Sequence, residues 1–194
     1  MIVNYPRMKR RVKGWPDDLD TALEFSSANP FSISAPKNWD GKLEYTNGSG
    51  WKMWDGSAIA SGEIEKNHYI YLRGTGNSKI TGTTSSSVKW SIIGTNIACN
   101  GDIDLLLDYS TVKSGNRPAM ANNCYNSMFY LCTKIKLSTT ASGTYTKSYR
   151  IPKNGTGTTA SGALVYMFGN TGGTFNGAPK INTTYYLDES NTIV

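Results

Sequence analysis

The chain has 194 residues, a net charge of +6 and 11% aromatic residues, enough for one ordinary domain or two small ones and too little for a large catalytic barrel. Gly, Ser, Thr and Asn together make up about 40% of it, Gln is absent and Glu occurs only 5 times, which excludes a helical bundle or coiled coil and favours a mainly β chain. A hydrophobic fraction of 38% argues against plain disorder, and no run approaches the roughly 18 apolar residues of a membrane-spanning helix.

Residues 1–18 read as a basic arm. Arg7, Lys9, Arg10, Arg11 and Lys13 crowd into a short run, followed at once by Asp17, Asp18 and Asp20. The apolar core of a secretory signal does not follow these bases, so conventional secretion is not expected. A cationic run of this kind attracts anionic partners. Nucleic acid is disfavoured, because no zinc-finger spacing, RNP-type strand or Gly-Lys phosphate loop accompanies the charge. The acidic surface of a neighbouring protein in an assembly is the partner expected for Arg7, Lys9, Arg10, Arg11 and Lys13. Between residues 109 and 187 the chain carries further dispersed bases and not one acid.

From Thr21 the chain alternates short strand-like runs with turn residues, the pattern of a sandwich or barrel. Strands are expected at Ala22–Phe25, Phe31–Ala35, Lys42–Thr46, Trp51–Trp54, His68–Arg73 and Val88–Ile93. In the second of these, Phe31, Ile33 and Ala35 alternate with Ser32 and Ser34. Asn47-Gly48-Ser49-Gly50 between two aromatic-rich runs predicts a hairpin, since Asn and Gly tolerate the positive φ of tight turns. Period-two alternation places Trp51 and Met53 on one face and Lys52 and Trp54 on the other. One of the two Trp residues is expected in the core. These elements form an expected β-sandwich over residues 19–94.

Past Gly94 the texture changes. Strands are expected at Asn96–Cys99, Asp102–Leu107, Lys134–Leu137, Lys147–Ile151 and Ile181–Leu187. Between them, Cys124–Cys132 carries apolar residues at helical spacing and predicts a short helix. Thirty-nine residues later the figure returns, Met128-Phe129 matching Met167-Phe168 and Cys132 matching Thr171. Two degenerate repeat units over residues 95–194 are the reading, each unable to bury its apolar face alone.

Few residues have the chemistry of catalysis. Glu63 with Glu65, and Asp102 with Asp104, stand at i, i+2, where a strand would put both acids on one face; exposed acids at a sheet edge do the same and discourage edge aggregation. Asp102, Asp104 and Asp108 lack the Gly and distal Glu of a calcium loop. The single His68 has no Gly-x-Ser-x-Gly elbow to serve. Three cysteines, Cys99, Cys124 and Cys132, are read as buried thiols rather than a disulfide framework. No catalytic residue, metal site or cofactor is therefore expected. Tyr45, Trp51 and Trp54 are candidates for stacking on a sugar, against the alternative that they fill a small core.

Two stretches carry a resemblance. Residues Trp90–Ser110, continued by Cys124-Tyr-Asn-Ser-Met-Phe-Tyr-Leu-Cys-Thr133, resemble the BspA-like leucine-rich-repeat surface proteins, whose repeats combine a short helix reading CYxxMFxxCTxL with a short strand. Leu43–Trp51 and Tyr69–Thr75 are similar to the small β-sandwich that precedes such repeats. The proline-rich strand after each helix is replaced here by Lys-Ile-Lys-Leu, and the chain has two units where such arrays need about three. The resemblance implies a mainly β fold, an Ig-like sandwich followed by a degenerate repeat layer. It further implies a non-enzymatic surface or bacteriophage-particle protein present in multiple copies or as a homo-oligomer. A chain that starts at Met without a leader fits the virion version, as a capsid decoration, head-fibre or tail component. A carbohydrate-binding module or cell-surface adhesin, with a host surface glycan as partner, is the alternative.

Overall fold

The computed structural model describes residues 12–95, 97–132, 147–150, 160–163, 165–167 and 184–187. Among them the fold is mainly β, with two sheets and one α-helix. A 3-10 turn at Leu19–Thr21 leads into β1 (Leu23–Ser27), β2 (Ser32–Ser34), β3 (Lys42–Thr46), β4 (Lys52–Met53), β5 (Ile59–Ala60), β6 (Gly62–Ile64) and β7 (Asn67–Thr75). A second such turn, Ser86–Val88, precedes β8 (Ser91–Ile93) and β9 (Ala98–Asp102); α1 (Leu105–Lys113), β10 (Lys147–Arg150) and β11 (Thr184–Leu187) follow. The larger sheet has the order β11-β10-β9-β1-β7-β3-β4, with β6 also on β7, and the smaller the order β5-β2-β8. Pairing is antiparallel except between β9 and β10.

The alternation read in β2 is the one observed, with Phe31, Ile33 and Ala35 buried. The expected hairpin also forms: Glu44 faces Met53 and Tyr45 faces Lys52. Its loop is wide, and Gly50 takes a φ of +73° within it, a left-handed conformation that glycine adopts at no steric cost. β4 ends after two residues because Trp54 turns inward, its N–H bonded to the Leu43 carbonyl at 2.8 Å. Inside, Trp54 stacks on Trp39 at 5.3 Å and meets Trp90 edge-on at 5.2 Å. Trp90 in turn meets Phe129 at 5.8 Å, and Phe129 meets Phe25 at 6.2 Å. This aromatic chain links the hairpin to β1 through residues on both sides of the boundary expected at 94, and β9 pairs directly with β1.

Two expectations are corrected. The strand read at Asp102–Leu107 is instead the end of β9 followed by α1. Leu105, Leu106 and Leu107 are all buried, because the helix start is enclosed by the sheet. Gly74 of β7 lies so close to it that a Cβ there would stand 1.6 Å from the Leu106 carbonyl oxygen. The helix breaks at Asp108 (φ −153°, ψ 101°). There the carboxylate accepts the Thr111 N–H at 2.9 Å and the Ser110 hydroxyl at 2.5 Å, so it caps the second half of the helix. Its other oxygen accepts the Gly76 N–H at 2.9 Å, tying the helix to the end of β7.

The short helix expected at Cys124–Cys132 is a ribbon of overlapping β-turns. The N–H groups of Asn126, Met128, Tyr130 and Cys132 bond the carbonyls of Asn123, Tyr125, Ser127 and Phe129 at 3.0–3.2 Å. Asn123, Ser127 and Leu131 take left-handed φ values of 56°, 56° and 60°. The intervening N–H groups of Asn123, Tyr125, Ser127 and Phe129 donate to the carbonyls of Ser161, Ala163, Val165 and Met167 in a second ribbon. There Gly162 and Tyr166 repeat the left-handed φ of Asn123 and Ser127 at the thirty-nine-residue spacing, and buried Ala163 and Met167 repeat Cys124 and Met128. The strand expected at Lys134–Leu137 and the matches at Phe168 and Thr171 lie outside the described residues.

Candidate functional site

Arg7, Lys9, Arg10 and Arg11 lie outside the described residues, and Lys13 is exposed. The rest of the expected arm, residues 1–18, does not all stand apart from the fold. Trp15 packs edge-on against Tyr71 at 5.9 Å, and Asp18 accepts hydrogen bonds from Trp51 Nε1 at 2.9 Å and Arg73 Nη1 at 2.6 Å. Arg73 belongs to β7, where register sets it opposite Glu44, whose Oε2 accepts its Nε–H at 3.1 Å. The guanidinium carbon lies 3.9 Å from the Trp51 ring centroid and 4.3 Å from that of Tyr109 on α1. A planar cation is well matched to two aromatic faces and two carboxylates. Burial raises the Asp18 pKa, but the hydrogen bonds from Trp51 and Arg73 outweigh it and hold the carboxyl below its ordinary value. The root of the arm is thus fixed to the hairpin, to β7 and to the helix at once.

Beside this root runs a cleft of about 380 Å³, lined by Leu19, Asp20, Glu24, Tyr71, Asp102 and Lys113 among others. Pairing places Glu24 of β1 opposite Asn100 of β9, so Asp102, one pleat further, shares its face. The Tyr71 hydroxyl donates to Glu24 Oε2 at 3.1 Å, and its own pKa is raised, by burial first and then by the Glu24 charge.

Asp104 is turned away from this cleft and is 0% exposed. Tyr125 Oη donates to its Oδ1 at 2.8 Å, and Arg117, which donates to Asp102, reaches Asp104 Oδ2 at 3.5 Å. Burial and then the Asp102 charge push the Asp104 carboxyl up to about 7, against the pull of Tyr125 and Arg117. Acid–base catalysis needs a shifted group that can touch a substrate. Here the carboxyl with the raised pKa, Asp104, is enclosed, and Asp102, which does line the cleft, is tied to Arg117.

The structure brings Trp51 and Trp54 to different places. Trp54, at 3% exposure, presents no ring face to a sugar; this corrects its place among the glycan candidates, because stacking on Trp39 and Trp90 occupies it. The Trp51 ring is half-buried and carries Arg73 on one face. Tyr45 is half-buried, with Lys52 Nζ 5.9 Å from its ring centroid. Glu63 is exposed on β6, opposite His68; Glu65 occupies the following turn with φ 59°. All three cysteines are buried and no disulfide joins them.

In the sequence Asp18 stands out only as part of the acidic run after the bases, and Arg73 and Tyr109 are not site candidates there. The one signal for them is Arg73 itself, a lone cation within the apolar run Tyr69-Ile-Tyr-Leu-Arg-Gly74. In comparison with known proteins, no family model, no curated protein and no solved structure matches the chain.

Proposed function

We propose that the chain is a non-enzymatic structural and attachment component of a bacteriophage particle, a capsid decoration, head-fibre or tail protein, docked through Arg7–Lys13 on an acidic partner surface. The observation that carries this reading is the fixed root: Asp18, held by Arg73 and Trp51, gives the cationic run that leads into it a rigid base from which charge can be aimed. The two sheets read as an Ig-like sandwich, and the stacked turn ribbons as a degenerate repeat layer of the BspA-like kind. Repeated copies on a particle would let individually weak sites act together.

The test is a full-length variant in which Arg7, Lys9, Arg10, Arg11 and Lys13 are all changed to Gln. Its circular dichroism and unfolding midpoint should match the wild type, and its incorporation into particles should be lost. Unchanged incorporation would refute the docking role.

The alternative, a carbohydrate-binding module or surface adhesin, draws on the cleft rather than on Trp54. Glu24 and Asp102 can accept sugar hydroxyls while Leu19 and Leu105 supply an apolar wall. Under this reading Glu24→Gln abolishes glycan binding measured by calorimetry and leaves folding intact.

A further inference from the structure

Two carboxyls, Asp102 at the end of β9 and Asp104 before α1, meet a single guanidinium, that of Arg117. Among the described residues, the remaining groups facing Asp104 add no positive charge. Tyr125, from the first turn ribbon, donates its phenolic hydrogen to Asp104 Oδ1. The neighbouring Cys124 is a buried thiol whose pKa is raised, by burial first and then by Asp104. Were both acids ionised, one negative charge would lie enclosed without a counter-ion among the described residues, an arrangement that proteins resolve by binding a proton or by opening to water. The junction at stake is structural: Asp104 adjoins the buried Leu105–Leu107 turn that rests on Gly74, and Tyr125 lies in the ribbon whose Phe129 closes the aromatic chain.

We propose that the Asp102–Arg117–Asp104–Tyr125 cluster is a proton-operated brace: a proton on Asp104 cancels the uncompensated charge enclosed between the start of α1 and the first turn ribbon, and its loss slackens that junction. An acid whose folded-state pKa lies above its unfolded one stabilises the fold most where both states are protonated, and this contribution declines as pH rises between the two values. For Asp104 the window runs from about 3.8 to about 7.

Carboxyl NMR titration of the full chain reads the proton directly. The Asp104 midpoint should lie near neutrality and move down in Asp102→Asn, which removes the repelling charge. A wild-type midpoint below about 4.5, or one unmoved by Asp102→Asn, overturns the proposal. Across the same window the wild-type folding equilibrium should fall, relative to Asp104→Asn, by up to about tenfold per pH unit. Amide protection at Ile103–Leu107 and at Tyr125 should decline with it in the wild type alone. Parallel pH profiles for wild type and Asp104→Asn would overturn the proposal; if that variant does not fold, the NMR midpoints decide.

Discussion

Trp54 is stacked within the core while Trp51, three positions earlier, covers Arg73 at the root of the arm. Their substitutions should therefore separate cleanly in urea unfolding. Trp54→Ala leaves a large cavity and should cost about 3–5 kcal/mol, whereas Trp51→Ala removes a cation–π contact and should cost about 1–2 kcal/mol. A neutral Trp54→Ala would contradict the packing described. Asp108 is the second residue whose role is defined by geometry. As the cap inside α1, its replacement by Ala should cost about 0.5–2 kcal/mol. Burial raises its pKa, but hydrogen bonds from Ser110, Thr111 and Gly76 outweigh this and hold it at about 2, below the usual 3.8. Its stabilisation is present above pH 3.8 and lost as pH falls toward 2, so the difference between wild type and Asp108→Ala should shrink over that interval. An undiminished difference at low pH would contradict the cap.

At the scale of elements, the close approach of α1 to β7 at Gly74 leaves no room for a methyl group. Gly74→Ala should destabilise by about 1–3 kcal/mol, whereas Gly76→Ala, where a Cβ would meet nothing within 4 Å, should suffer only from its positive φ. Equal unfolding midpoints for wild type and Gly74→Ala would contradict the contact. The strands were legible where period two was clean, as in Phe31–Ala35, and where an aromatic-rich apolar run stood between turn residues, as in His68–Arg73, which is buried almost continuously. The helix was not, because three consecutive leucines carry no 3.6-residue period and read equally well as a buried strand. The turn ribbon misled for a different reason. Its left-handed residues recur every fourth position, at 123, 127 and 131, so its buried residues at 124, 128 and 132 imitate the i, i+4 spacing of a helix. The thirty-nine-residue recurrence is independent of that error: among the described residues the left-handed and buried positions of the first ribbon return at Gly162, Ala163, Tyr166 and Met167.

At the scale of the whole molecule, one aromatic chain joins residues before and after position 94, so the change in sequence texture there marks a change of element type within a shared core. The basic run was legible as charge, since five bases close together need no fold to be seen, though all of them but Lys13 lie outside the described residues. Its root was not legible, because Asp18, Trp51, Arg73 and Tyr109 lie far apart in sequence and meet only through β7 pairing and the placement of α1. A virion role makes one direct demand on composition. Quantitative mass spectrometry of purified phage particles should find this chain at many copies per particle in the wild type, and should find it depleted when the five arm bases are changed to Gln; its absence from wild-type particles would contradict the proposal.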